Sequence, residues 1–327
     1  MRIVITGASG FIGTALVEAL LSRRMLTGPN GEQAALKKLV LVDVYEPRSV
    51  PGVGGADIEF RRGDICDAAL RKEIFGQRVD VIFHLAATLT AEAQADPSKG
   101  TRVNVRGLLD LLEECRSQEA PPRFVFTSSI ATFGGALPEV VDDDVVQKPQ
   151  TSYGSHKVIA EQLINDYSRH GVIDGRALRL PIVLVRPPSV TPSVSDQVAA
   201  IVREPLAGRD FICPFKADTK LAVVSVQRVA EALLTMMQAP AALFTETRAL
   251  NLPALTVTPA EMVRAVKNIA GGRPLGRVEY FPDPQAQKIV DSWPKYFVSK
   301  LASRAGLSAD ASFEAIVKAY LQAAGEE

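Results

Sequence analysis

Apolar residues fall along this chain in two rhythms. Ile3-Val4-Ile5 is an unbroken run that stops at Thr6-Gly7, the pattern of a strand buried on both faces. Directly after it, residues 11–24 place Ile12, Leu16 and Leu20 four apart, the stripe of an amphipathic helix. Further runs at 38–44, 57–62, 79–85, 123–128 and 177–185 predict more strands, the last with an irregularity forced by Pro181. Helical stripes lie between them: Val105, Leu108, Leu109 and Leu112 within 103–115, and Val158, Ile159, Leu163 and Ile164 within 155–168. Strands alternating with helices argue for a parallel sheet covered on both faces. With right-handed crossovers this is an α/β, doubly wound fold.

The rhythm changes beyond residue 185. PPSVTPSVSD is rich in Pro and Ser and reads as loop. Less regular elements follow: helices near 195–204, 226–237, 259–270 and 310–324, and a strand near 249–252. The prediction is a sheet domain over 1–185, completed by 220–252, and a smaller interleaved C-terminal lobe from 186–219 and 253–327. The turn-rich Thr27-Gly28-Pro29-Asn30-Gly31 is inserted between the first helix and the second strand.

Length and composition narrow the function. The 327 residues suffice for two domains or one large α/β unit. Hydrophobic residues at 47% and charged ones at 23% are those of a packed protein rather than a disordered one. The 37 Lys+Arg balance 37 Asp+Glu, so no broad field draws the chain to nucleic acid or an anionic membrane. One local Arg would still serve a small anion. Cys66, Cys115 and Cys213 are odd in number and widely spaced, predicting neither a disulfide framework nor a zinc site, and a reducing cytoplasmic compartment. The opening MRIVITGASG has no basic leader, and no run approaches the ~18 apolar residues of a membrane span.

The most specific local signal is Thr6-Gly7-Ala8-Ser9-Gly10-Phe11-Ile12-Gly13, placed between the first strand and the first helix. Gly7 permits a tight turn, Gly10 a close approach to a pyrophosphate, and Gly13 close helix packing. The free N–H groups at Phe11 and Ile12 favour phosphate charge. In this position the pattern reads as the phosphate loop of a Rossmann dinucleotide site rather than a plain strand–helix turn. Asp43, ending the second strand, would accept both ribose hydroxyls and repel a 2′-phosphate, favouring NAD over NADP. Asp64 would accept from the adenine amino group with Ile65 against the ring, or else cap a helix starting near Asp67.

Tyr153 and Lys157 stand four apart in YGSHK, on one helix face. A phenol with an ordinary pKa of ~10 is a poor base at neutral pH, and a nearby ammonium favours the phenolate. Thr127-Ser128-Ser129 follows the fifth strand, at the carboxyl edge where open α/β sheets bind ligands. A serine hydroxyl there would hold a substrate oxygen beside the tyrosine. Of the remaining polar residues, His84 reads as packed and hydrogen-bonded, His156 as lying on another helix face, and His170 as solvated. Asp142-Asp143-Asp144 reads as a solvated loop rather than a metal site.

TGASGFIG, HLAA at 84–87, NVRG at 104–107, TSS at 127–129 and YGSHK at 153–157 together resemble the extended short-chain dehydrogenase/reductase superfamily. The resemblance implies a hydride passed between NAD and a carbon bearing oxygen. It makes Tyr153 the general acid/base, Lys157 its tuning partner, and Ser129 the residue polarising the substrate hydroxyl, with Ser128 the competitor for that role. Leu85, Ala86, Ala87 and Pro181 would line the cofactor and Asn104 would support the site. Ile130-Ala131 stand where the superfamily's dehydratases carry an acid pair, and the Asn-x-Tyr-Gly-Pro segment common in its nucleotide-sugar epimerases is absent. RLPIVLVRPPSVTPSVSD and REPLAGRDFICPF instead resemble the branch that holds D-erythronate and uronate dehydrogenases. That branch implies oxidation of the C2 hydroxyl of a four-carbon sugar acid. Arg186 is the candidate for its carboxylate, and Thr90, Ser189 and Thr191 for its hydroxyls. The helices at 103–115 and 155–168 offer the apolar faces that form homodimers in the superfamily. A cofactor-recycling sugar epimerase and a non-catalytic dinucleotide sensor are the alternative functions.

Overall fold

The computed structural model describes residues 1–47, 56–185 and 193–323. The strands are β1 (Arg2–Thr6), β2 (Lys38–Asp43), β3 (Asp57–Arg62), β4 (Val81–His84), β5 (Arg123–Ser129), β6 (Asp174–Leu180), β7 (Ile182–Leu184), β8 (Leu221–Ser225), β9 (Ala249–Asn251) and β10 (Leu255–Val257). The helices are α1 (Phe11–Leu21), α2 (Ala68–Phe75), α3 (Thr90–Ala95), α4 (Leu108–Cys115), α5 (Ser152–Arg169), α6 (Val194–Leu206), α7 (Val226–Gln238), α8 (Pro259–Ile269) and α9 (Phe313–Ala323).

Seven strands form one parallel sheet in the order β9-β6-β5-β4-β1-β2-β3. The chain winds outward from β1 through β2 to β3, then returns to β4 on the other side of β1. The switch point therefore lies between β1 and β4, where such sheets open a crevice at their carboxyl ends. The unbroken apolar runs divide between two cores because successive side chains leave opposite faces. Ile3, Ile5, Leu39, Leu41, Val81 and Phe83 pack with α1 and α7. Val4, Val40, Val42, Ile82, Phe124 and Phe126 pack with α2, α4 and α5. Each such side chain contributes about 1.5–3 kcal/mol by leaving water.

Pro181 ends β6 more completely than an irregular strand would. With no N–H to offer, it separates Leu180, which pairs with Ser129 in the main sheet, from Ile182–Leu184, which pairs with β8 in a three-stranded sheet ordered β7-β8-β10. The predicted single strand at 177–185 is thus two strands in two sheets. Of the returning segment, β9 joins the main sheet and α7 packs on α1, while β8 belongs to the smaller sheet. A separate core gathers α6, α8, α9, β7 and β8 around Val198, Val202, Phe215, Val223 and Met262. The helix expected from 103 begins as a π-helix, Arg102–Gly107, before continuing as α4. The insertion after α1 is a small hairpin, Leu26–Thr27 against Gln33–Ala34.

No helix among the described residues is long and apolar enough to cross a membrane.

Candidate active site

The glycine loop closes over the carboxyl end of β1. Gly7 has φ +75° and lies so close to the loop after β4 that a Cβ there would fall 2.6 Å from the Ala86 nitrogen. A Cβ on Gly13 would fall 2.3 Å from the Gly7 carbonyl oxygen, so this glycine lets the helix fold back onto its own loop. Gly7 N–H donates to the Val42 carbonyl (2.9 Å) and Leu85 N–H to the Thr6 carbonyl (3.0 Å), tying the loop to both neighbouring strands. Gly10 is the N-cap of α1 and supplies no side-chain acceptor. The first N–H groups of the helix therefore have no capping oxygen of their own, which fits a site for a pyrophosphate.

Asp43 stands at the end of β2, beside this loop. Its carboxylate accepts from Ser9 N–H (2.9 Å) and Tyr45 N–H (3.1 Å), which orients it at the mouth and leaves acceptor capacity for ribose hydroxyls. Asp64 accepts from Cys66 N–H (2.9 Å) and from the Arg102 guanidinium (2.9 Å). Burial opposes its charge, but these donors win and hold its pKa below the usual value. Asp64 is not the cap of α2: that role belongs to Asp67, which accepts from Ala69 N–H at 2.8 Å. Ile65 is buried next to it, under Gly107.

Leu85, Ala86 and Ala87 form the half-buried strip after β4. Asn104, buried in the π-helix, pins the end of this strip. It donates to the Thr88 carbonyl (2.9 Å) and accepts from Thr88 N–H (2.8 Å). Thr90 follows at the start of α3, which packs against α5. Pro181 sits at the junction of the two sheets. Arg186, Ser189 and Thr191 lie outside the described residues.

The carboxyl end of β5 and the first turns of α5 bring the catalytic candidates together. Thr151 caps α5 by accepting from Gly154 N–H (3.1 Å), which places Tyr153 in the first turn. Three successive residues of β5 then meet three residues of α5 spaced four apart. Lys157 donates to the Thr127 carbonyl (2.7 Å), Ser128 donates to Glu161, and the Ser129 hydroxyl meets the Tyr153 phenol. Ser128 is buried and committed to Glu161, while Ser129 accepts from Ala131 N–H (3.1 Å) and its hydroxyl acts on the Tyr153 phenol, so the surroundings of Ser129 favour it over Ser128 as the candidate.

The electrostatics depart from the expectation drawn from the Tyr/Lys spacing. Burial pushes the Tyr153 phenol up to about 12, with the Ser129 hydroxyl working in the opposite direction. The Lys157 ammonium is 5.4 Å from the Tyr153 ring centre and 4.4 Å from that of Phe126. Burial pushes it down to about 7, and the Glu161 carboxylate raises it. The protein by itself thus holds a neutral phenol beside a reluctant ammonium.

His84 is packed as expected. It shares a 2.7 Å hydrogen bond with the Thr6 hydroxyl, stacks on Phe126 with centres 5.8 Å apart, and has its pKa pushed down to about 3 by burial and by Lys157. His170 is exposed near Asp166. The aspartate triplet is not simply solvated: Asp143 is half-buried, accepts from Asn251 N–H (2.7 Å) and Ser299 (2.5 Å), and has its pKa raised by burial.

Gly154 and Glu161 escaped the sequence reading. A Cβ on Gly154 would fall 2.1 Å from the Ala131 carbonyl oxygen, so only glycine lets α5 approach the turn after Ser129. Its signal was its place inside YGSHK. The signal for Glu161 was an acid on the stripe of Tyr153 and Lys157.

The model of the NAD dependent epimerase/dehydratase family matches residues 3–251. The D-erythronate dehydrogenase of Cupriavidus necator is 38% identical over 325 residues, 99% of each chain. That of Haemophilus influenzae is 32% identical over 325 residues, covering 98% of this chain and 99% of its own. The crystal structure of a nucleoside-diphosphate-sugar epimerase from Agrobacterium tumefaciens superposes with a TM-score of 0.91 at 32% identity, covering 100% of this chain and 95% of the other.

Proposed function

The chain belongs to the NAD dependent epimerase/dehydratase family, and on that footing we propose that it is an NAD-dependent dehydrogenase oxidising the C2 hydroxyl of a sugar acid, D-erythronate, to 2-dehydro-D-erythronate. The observation that carries the reading is the meeting of Ser129 with Tyr153, one helical turn from Lys157, at the sheet edge that also bears the glycine loop. The full-length likeness to two D-erythronate dehydrogenases supports the substrate.

NAD, when bound, supplies the hydride acceptor. The loop at Gly7–Gly13, the uncapped start of α1 and Asp43 would hold its pyrophosphate and ribose, and a 2′-phosphate would meet the Asp43 charge. Ser129 orients the substrate hydroxyl toward Tyr153. Tyr153, as phenolate, takes the hydroxyl proton while the carbon bearing that oxygen gives up a hydride, so the alcohol becomes a ketone by losing one proton to Tyr153 and one hydride, with its two electrons, to the cofactor. Lys157 as ammonium stabilises the phenolate, and substrate and cofactor complete the charge balance that the protein alone leaves unfavourable. Arg186 is the proposed carboxylate anchor, with Thr90, Ser189 and Thr191 at the hydroxyls. In the same proposal the protein is cytoplasmic and forms a homodimer across α4 and α5, where Leu109 and Ile159 remain 37% and 43% exposed.

Likeness to the Agrobacterium epimerase favours a second reading, an epimerase that recycles its cofactor. The two differ in one readout. A dehydrogenase accumulates NADH steadily with D-erythronate, whereas an epimerase gives no net NADH. The non-catalytic sensor has no such support, since Tyr153 and Lys157 are both present. A screen of C4 to C6 aldonates and uronates with NAD and NADP tests the proposal; no turnover with any sugar acid would refute it.

A further inference from the structure

A buried polar cluster lies directly behind the catalytic residues and takes no part in the chemistry described above. Its centre is Glu161, 3% exposed, two helical turns beyond Tyr153 and one beyond Lys157. Every partner comes from a different segment. Ser128 donates to it from the end of β5, and Gln147 (2.9 Å) from the loop before α5. Arg179 donates from the end of β6 through Nε (3.1 Å to each oxygen) and Nη2 (2.9 Å). Arg179 extends the cluster to Asn251 (3.3 Å) and to the Asp143 carbonyl (3.4 Å), and it lies over the Phe133 ring.

The placement of these bonds is informative. Ser128 immediately precedes Ser129. Arg179 is two residues before Pro181, which is proposed to line the nicotinamide. Lys157 and Tyr153 are on the same helix as Glu161. One carboxylate therefore ties together the ends of β5 and β6 and helix α5, the segments that carry Ser129, Pro181, Tyr153 and Lys157. A carboxylate is suited to this: its two oxygens take the guanidinium fork and still accept from a hydroxyl and an amide.

We propose that Glu161 is a positioning residue, whose buried carboxylate grips Ser128 and Arg179 so that Ser129, Tyr153 and Lys157 are held as one rigid unit. The charge of Glu161 acts as well. Lys157 is faced by His84 from β4, by the Thr127 carbonyl and Phe126 ring from β5, and by Tyr153, His156 and Glu161 on its own helix; Arg179 of β6 lies beyond Glu161. Among these, Glu161 is the anion that favours the ammonium against burial.

The test uses full-length protein carrying 13C-labelled lysine, with the Lys157 resonance assigned by Lys157→Met. The Lys157 midpoint is followed by NMR across pH in wild type, Glu161→Gln and Ser128→Ala. Glu161→Gln removes the anion and lowers the midpoint by about one pH unit or more. Ser128→Ala keeps the Glu161–Arg179 pair, and hence the fold, but lets the carboxylate swing toward Arg179, lowering the midpoint by a smaller step. Should Glu161→Gln fail to fold, Ser128→Ala decides alone. A midpoint within error of wild type in the folded variants overturns the inference. The kinetic arm rests on the dehydrogenase reading: Ser128→Ala lowers kcat about tenfold with the KM for NAD unchanged, and an undiminished kcat also overturns the inference. A wild type that turns over no sugar acid counts against the dehydrogenase reading alone, because the titration needs no substrate.

Discussion

Replacing Gly154 with alanine separates the placement of the catalytic groups from the stability of the fold. The added Cβ would lie 2.1 Å from the Ala131 carbonyl oxygen, where ordinary contact begins at 3.4 Å, so the two segments must part by roughly 1.3 Å. Neither side is a flexible side chain. One is the backbone of the turn whose Ala131 N–H holds the Ser129 hydroxyl at 3.1 Å; the other is the helix turn that carries Tyr153. The parting therefore falls on the distance between Ser129 and Tyr153. A misplacement of about 1 Å at reacting groups costs on the order of a hundredfold in rate. The stability cost is partly offset, since alanine favours helix over glycine by up to about 1 kcal/mol. Gly154→Ala is expected to fold, to bind NAD within about threefold of wild type because the glycine loop is untouched, and to lose about two orders of magnitude in kcat for NADH formation. Stopped-flow and steady-state absorbance at the NADH band, with thermal unfolding alongside, read both effects. A variant with wild-type kcat would refute the argument that close approach of these segments sets the geometry.

Asp174 bears three arginines, Arg123 (3.0 Å), Arg176 (2.8 Å) and Arg248 (2.9 Å), and the Arg176 side chain is fully buried. Asp174→Asn leaves this positive cluster uncompensated and should cost about 3–5 kcal/mol in urea unfolding; a loss under 1 kcal/mol would contradict it. His84 binds its proton near pH 3 when folded but near 6.5 when unfolded. Between those values the unfolded chain holds the extra proton, so stability falls as pH drops, by up to about 1.4 kcal/mol per pH unit from this residue. His84→Asn should reduce proton uptake on unfolding in that window by about one, and unchanged uptake would exclude a buried neutral ring. Asp43→Asn removes the charge expected to repel a 2′-phosphate, and the ratio of kcat/KM for NADP over NAD should rise at least about tenfold; a constant ratio would place cofactor selectivity elsewhere.

Much of this site is legible in the sequence because its parts are local. Parallel strands buried on both faces read as apolar runs, and the glycines between β1 and α1 announce their turn by position. Tyr153 and Lys157 share a helix face by spacing alone. What the sequence hides depends on segments meeting in space. Asp143 looks like part of a solvated acid run, yet its partners Asn251 and Ser299 are 108 and 156 residues away. Glu161 and Arg179 belong to different elements, so nothing local marks them as a pair. Pro181 announces a break, but the second sheet beyond it exists because β8 returns beside β7. The pKa of Tyr153 follows the same rule. Spacing brings an ammonium near, while burial, invisible in one dimension, sets the direction of the shift.

The proposed chemistry turns on the Tyr153 oxygen, which takes the proton of a sugar-acid hydroxyl as hydride leaves for NAD. The most direct measurement compares wild type with Tyr153→Phe for NADH formation from D-erythronate, with NAD affinity measured on both. Wild type is expected to produce NADH steadily, and the variant to keep nearly unchanged NAD binding with turnover reduced by on the order of a hundredfold or more. Near-wild-type turnover in Tyr153→Phe would contradict it.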